Sequence, residues 1–198
     1  NELCLESLKG KDWLLRWRRY TLDSHAIHIN HEDGEFNNWN DLKKYRTPTT
    51  SILITDRYVL KREDLVIPNL CRLLRALIPD NIDTSKLPLQ IMIVTQEVDS
   101  RYTIQHMHHL IETTLYEILE DEDLAEVHFE LSIVRSSGLG DLHDRHIFTN
   151  YTMITSGTSL HFFDRAGNYN PRTSTTLQIY RLPSQRMGNN TYANFARK

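Results

Sequence analysis

From Ser51 onward, the apolar positions switch repeatedly between the compact runs of strands and the three-to-four spacing of amphipathic helices. Ser51 to Leu60, carrying Ile52, Leu53, Ile54 and Val59, reads as a buried strand. Leu65 to Leu77 follows with Leu70, Leu73, Leu74 and Leu77 at helical spacing, and Pro79 ends the run. Leu89 to Thr95 is the most hydrophobic stretch and is expected at a central position of a sheet. Ser100, a candidate N-cap, opens a long helix to about Asp121, with Ile104, Met107, Ile111, Leu115, Ile118 and Leu119 on one stripe. His106, His108 and His109 fall on its exposed face, and Asp121-Glu122-Asp123 forms an acidic end expected to face solvent.

Val127 to Val134 alternates as a half-buried strand should, with Val127, Phe129, Leu131 and Ile133 on one side and His128, Glu130 and Ser132 on the other. Ser136 to Gly140 is a polar loop; 143 to 149 is extended and begins a hairpin; Thr175 to Leu182 is a last strand beyond a loop holding Gly167 and Pro171. The order β-α-β-α-β-β-β predicts an α/β domain, a mixed β-sheet flanked by helices.

Residues 1–48 read differently and are expected to form an N-terminal extension or small helical segment, with residues 49–183 as the domain and 184–198 as a poorly ordered tail. Leu14, Trp17, Thr21 and Leu22 suggest a short amphipathic helix. Its Arg16-Trp17-Arg18-Arg19-Tyr20 run has the aromatic-plus-guanidinium composition of a nucleic-acid contact. A Trp packed in a core with solvated Arg side chains is the favoured reading. His25, His28, His31 and Glu32 form a His-rich tract without HExxH spacing or a Cys pair, so no metal and no cofactor is assigned.

Composition narrows the function classes. The 198 residues suffice for a full core, and the 39% hydrophobic and 25% charged content is ordinary for a globular chain. A net charge of -3 provides no global field for polyanions, so any lipid or nucleic-acid contact must come from a local patch. Two cysteines, Cys4 and Cys71, make no disulfide framework, and the expected compartment is cytoplasmic. No apolar run is long enough for a transmembrane segment or a signal core. The chain begins at Asn1 rather than Met, as expected of a fragment or a processed form.

The candidate chemistry lies in Leu142-His143-Asp144-Arg145-His146-Ile147-Phe148-Thr149-Asn150-Tyr151, followed by Thr155-Ser156-Gly157-Thr158-Ser159. On an extended segment His143 and Arg145 project from one face, because strand side chains alternate. Thr158 reaches the same volume if the segments form a hairpin. A neutral imidazole, a fixed cation and a Gly turn with hydroxyls suit a phosphate group. In the competing structural use of these residues, His143 bonds backbone and Arg145 pairs with Asp141 or Asp144.

This pattern resembles the phospholipase D superfamily motif, HxKxxxxD followed by a Gly-Ser turn. His143 matches the family nucleophile, Arg145 the phosphate-binding Lys, Asn150 the Asp, Gly157 the turn Gly and Thr158 the Ser. Leu160 stands where the family usually has an Asn. The His-Asp-Arg opening and the Thr175-Thr176-Leu177-Gln178-Ile179-Tyr180 strand are most similar to the C-terminal phospholipase D-like domain of MIT-domain-containing proteins, a membrane-binding dimer rather than an enzyme.

The resemblance implies a single phospholipase D-like repeat spanning about 49 to 182. Family catalysis requires two motifs face to face, one His attacking phosphorus and the other protonating the leaving oxygen, and this chain carries one. Activity would then require a homodimer: a metal-independent phosphodiesterase or nuclease working through a phosphohistidine, with bacterial defence as its setting. Asn at 150 weighs against that, since an Asp orienting a catalytic His is worth on the order of 10⁴ in rate in the serine-protease template. Arg for Lys costs little, because a guanidinium binds phosphate at least as well. The expectation is therefore a degenerate, non-catalytic module, a homodimer recognising a phosphate-bearing partner, a phospholipid headgroup or a nucleic-acid backbone, with a peripheral place at a membrane as one setting.

Overall fold

The computed structural model describes residues 25–29, 36–136, 145–170 and 172–181. Among these residues seven strands form one mixed sheet: β1 (His25–Ile29), β2 (Ser51–Thr55), β3 (Leu89–Thr95), β4 (Phe129–Arg135), β5 (Arg145–Thr149), β6 (Thr152–Ser156) and β7 (Thr175–Arg181), in the order β1-β7-β6-β5-β2-β3-β4. β2, β3 and β4 are parallel. β5 turns back antiparallel beside β2 and begins the antiparallel run β5-β6-β7-β1. The chain is thus an α/β fold with helical crossovers between the parallel strands, as parallel pairing demands. Among the described residues no helix is long and apolar enough to cross a membrane.

The predicted order is present from β2 onward, with three differences. The expected strand from 51 to 60 stops at Thr55, because Asp56 takes the backbone N–H of Tyr58 at 2.8 Å and turns the chain. β3 lies second from the sheet edge rather than centrally. Leu89, Ile91, Ile93 and Thr95 are buried on one face, whereas on the other Val94 is buried and Gln90 and Met92 are exposed. The central place belongs to β5, with β2 beside it. Third, the described part of the first 48 residues is joined to the domain. β1 extends the sheet along β7, and Trp39 and Leu42, on a 3-10 turn (Trp39–Tyr45), are buried in the main core. A five-residue strand gains its stability from pairing, which local sequence pattern does not display.

The run from 63 to 77 is helical in three pieces, a 3-10 turn (Glu63–Leu65), a π-helix (Val66–Cys71) and α1 (Arg72–Leu77). Pro68 lacks the N–H that a regular α ladder needs there. Buried Asn69 compensates: its amide N–H groups donate to the carbonyls of Leu65 (3.0 Å) and Phe163 (2.9 Å), and its Oδ1 accepts the Phe163 N–H (2.9 Å). α2 (Ile104–Asp121) starts at Thr103, not Ser100, with the Thr103 hydroxyl accepting the His106 N–H at 3.1 Å. Its stripe of Met107, Ile111, Leu115, Ile118 and Leu119 packs in one cluster with Ile52, Ile54, Ile91, Ile93, Phe129 and Leu131 of the sheet. His108 leaves the exposed set, its Nε2 lying 3.0 Å from the Leu131 carbonyl.

The acidic end of α2 is not simply solvated. Glu122 ion-pairs with Arg75 (2.6 Å) and Lys43 (3.3 Å), and these cations offset a carboxylate placed at the unfavourable end of a helix dipole. On the opposite face of the sheet a smaller cluster runs across successive strands, with Leu53, Phe148, Met153 and Tyr180 in register and Val94 packed against them. The predicted helix over 14–22, the loop at 137–140 and the tail from 184 lie outside the described residues.

Candidate functional site

The end of the sheet where the parallel strands terminate gathers the described part of the motif. β5 runs antiparallel to β2, so its first residue, Arg145, stands beside the last residues of β2. Arg145 also pairs in register with Ser156, which brings the Ser156-Gly157-Thr158-Ser159 corner to the same place. Ligands of open α/β sheets characteristically bind outside the carboxyl ends of the strands, where the strand order reverses, and the β2/β5 boundary is such a place here.

Arg145 is held from three sides. Nη1 donates to the Gly157 carbonyl at 3.3 Å, Nε lies 4.0 Å from Asp56 Oδ1, and the guanidinium carbon sits 5.9 Å from the centroid of the Tyr58 ring. Its side chain keeps 17% exposure, so the group is positioned yet still reaches solvent. Tyr58 also faces Arg57 (5.0 Å) and Lys61 (4.9 Å), so three cations surround one ring. Both Arg57 and Lys61 contact Glu97, at 3.4 and 2.9 Å, and the Lys61 ammonium holds the Glu97 carboxyl below its ordinary value. Exposed Arg135, at the end of β4, donates from Nε to the Gln96 carbonyl at 3.1 Å.

Asp56 is the organising group of this corner. Its buried carboxylate accepts the Tyr58 and Leu160 N–H groups at 2.8 Å each and the Ser159 hydroxyl at 2.8 and 3.1 Å. A buried charge survives only when hydrogen-bonded and paired, and these donors with Arg145 supply both conditions. His161 lies nearby with Nε2 3.2 Å from the Val59 carbonyl, so that nitrogen carries a proton. Burial pushes its pKa down, which keeps the ring neutral near pH 7.

The remaining predicted residues divide. Thr158 is at the corner, its N–H donating to the Ser156 hydroxyl (3.3 Å) while that hydroxyl donates to the Thr158 carbonyl (2.8 Å). Gly157 turns its carbonyl to Arg145, and a Cβ there would meet only Thr175 Oγ1 at 3.6 Å, an ordinary contact. The corner therefore does not require glycine. Asn150 lies at the other end of β5, about 17 Å along the strand at 3.4 Å per residue. There its Oδ1 accepts the N–H groups of Thr50 (2.7 Å) and Ser51 (3.1 Å), and its Nδ2 donates to Thr50 Oγ1 (3.0 Å). It fastens the β5–β6 turn to the start of β2 and does not converge with Arg145. His143, Asp141 and Asp144 lie outside the described residues.

Sequence reasoning missed Asp56, Tyr58, Ser159 and His161. An Asp closing an apolar run and followed by Arg-Tyr is a turn signal that was legible at Asp56. Nothing in the sequence linked it to Ser159, 103 residues away. In the His-rich tract, His25 packs against the Tyr45 ring at 5.2 Å and His28 Nδ1 lies 3.2 Å from Thr176 Oγ1. An odd and an even position on one strand face opposite ways, so these two rings diverge. His31 and Glu32 lie outside the described residues.

No protein-family model matches the chain, and no curated protein matches it significantly.

Proposed function

We propose that this chain is a single phospholipase D-like repeat that acts as a non-catalytic, dimeric binding module for phosphate-bearing partners. The observation that carries this reading is the setting of Arg145, a partly exposed guanidinium braced by the Gly157 carbonyl, the Asp56 carboxylate and the Tyr58 ring at the end of the parallel strands. A guanidinium has five N–H donors in a fixed fork, enough to serve a bracing carbonyl and a phosphate oxygen together. Arg57, Lys61 and Arg135 at the same end add positive charge to a chain that is negative as a whole. The absence of chemistry is supported by Asn150, an amide at the family's carboxylate position, committed to fastening a distant turn.

Titration with phosphoinositide liposomes and with short duplex DNA, against Arg145→Ala, tests the reading. Loss of one charge-assisted contact should weaken binding about 10-fold or more. Equal binding by both proteins rejects the site. Turnover of bis(p-nitrophenyl) phosphate in EDTA, abolished by His143→Ala, would replace it with a phosphodiesterase whose active site is shared across a dimer.

A further inference from the structure

The helical side of the molecule holds a cleft of about 1000 Å³, separate from the Arg145 corner. One wall is the 3-10, π and α1 run with Arg62, Ile67, Pro68, Arg72 and Arg75; the other is the turn at 163–167, carrying Arg165. Arg101, Tyr102 and Glu122, from the two ends of α2, also line it. The cleft is at the upper end of the size range for small-molecule sites.

Its charges sort into two kinds. Arg62 pairs with Asp64 (2.6 Å), Arg75 with Asp80 and Glu122 (2.6 Å each), and Arg101 with Asp99 (2.8 Å). Glu63 faces the His106 ring at 3.6 Å. The side chains of Arg72 and Arg165 are exposed and make no hydrogen bond or ion pair among the described residues. Of the five guanidiniums that line the walls, the other three are ion-paired, Arg101 with a carboxylate outside the lining.

Both are presented on fixed supports. The Asp164 carboxylate caps the turn that bears Arg165, accepting the N–H groups of Ala166 and Asn168 at 2.9 Å each, and Gly167 supplies the positive φ of 80° that the turn needs. Buried Asn69 ties that segment, through Phe163, to the π-helix just before Arg72. Such π-bulges are common at functional sites because they alter how neighbouring side chains are displayed. Within the same lining, Ile67 is 40% exposed beside Pro68, an apolar surface that water solvates poorly.

We infer that this cleft binds a small organic ligand of nucleotide size carrying two or more phosphate groups, with Arg72 and Arg165 on the phosphates and the Ile67–Pro68 surface against the remainder. Arginine forks match phosphate oxygens in pairs, which a single carboxylate offers in only one plane. Trp39 and Phe163 also line the cleft but are buried, so they give it shape rather than stacking faces for a strand of bases.

Isothermal titration of the full chain with ATP, inositol hexakisphosphate and sodium tripolyphosphate tests this. The expected result is saturable binding of ATP or the inositol phosphate, weakened about 10-fold or more by Arg72→Ala and by Arg165→Ala and retained by Arg145→Ala. ATP binding more tightly than tripolyphosphate identifies a nucleotide; the inositol phosphate binding most tightly identifies a non-nucleotide polyphosphate. Both substitutions are at exposed positions, and unchanged thermal unfolding verifies the fold. Absence of binding by all three probes, or equal affinity in the Arg72→Ala/Arg165→Ala double variant, overturns the proposal. Loss of ATP binding on Arg145→Ala, with the double variant unaffected, overturns it too and assigns the anion to the sheet-end corner.

Discussion

Asn150 and Asp56 show how differently two polar residues of one strand system behave. Asn150 makes three hydrogen bonds that fasten a turn, so Asn150→Ala is expected to cost about 1.5–4.5 kcal/mol in urea unfolding, at roughly 0.5–1.5 kcal/mol per bond lost. Asn150→Asp keeps the accepting oxygens and loses only the donor, so it should cost less than half as much. Neither should alter phosphate binding; a binding defect in Asn150→Asp with unchanged stability would move Asn150 into the site. At this scale the sequence made Arg145, Gly157 and Thr158 legible, because hairpin register is a short-range property. The Asp56 carboxylate was illegible because its partners, Ser159 and Leu160, are more than 100 residues away along the chain.

The elements with strong periodicity stand where the apolar pattern put them, α2 most clearly. Its end, however, carries a feature that the pattern does not express. Asp123 adopts φ 60°, and the Leu124 N–H bonds the Leu119 carbonyl (2.8 Å) while the Asp123 N–H bonds that of Glu120 (3.1 Å). This is a Schellman motif with Asp where glycine is usual. Asp123→Gly should therefore stabilise the chain by about 0.5–1 kcal/mol, relieving left-handed strain and removing a negative charge from the helix C-terminus. A lower thermal midpoint for this variant would mean that the Asp123 side chain has a stabilising partner. The π-helix escaped the pattern because a bulge keeps the apolar stripe while changing the hydrogen bonds beneath it. β1 escaped because five residues, two of them His, carry too little period-two signal.

Over the whole molecule, the half-buried, neutral His161 couples folding to pH. Its pKa is depressed in the native state, so below about pH 6.5 the unfolded chain takes up a proton that the native chain refuses. The unfolded state then binds more protons, and stability falls as pH falls from about 7 toward 5. His161→Gln should flatten that limb of the urea midpoint against pH while leaving the acid limb below about pH 4. There, carboxylates such as Asp99 and Asp64, held low by Arg101 and Arg62, lose their advantage. An unchanged slope between pH 7 and 5 in the variant would show that the native state protonates His161 as readily as the unfolded chain.

The sequence by itself determined the alternation of strands and helices, the α/β class and the short-range geometry of the Arg145 hairpin, since burial periodicity and turn chemistry act within a few residues. Only the tertiary structure decided that β5 is the middle strand, that His25–Ile29 closes the far edge, that Asp56 anchors the Arg145 corner and that Arg72 and Arg165 share a cleft. Those facts depend on pairings between residues distant in sequence. Such pairings are chosen by the total burial and hydrogen bonding of the assembled sheet, a quantity no local stretch encodes.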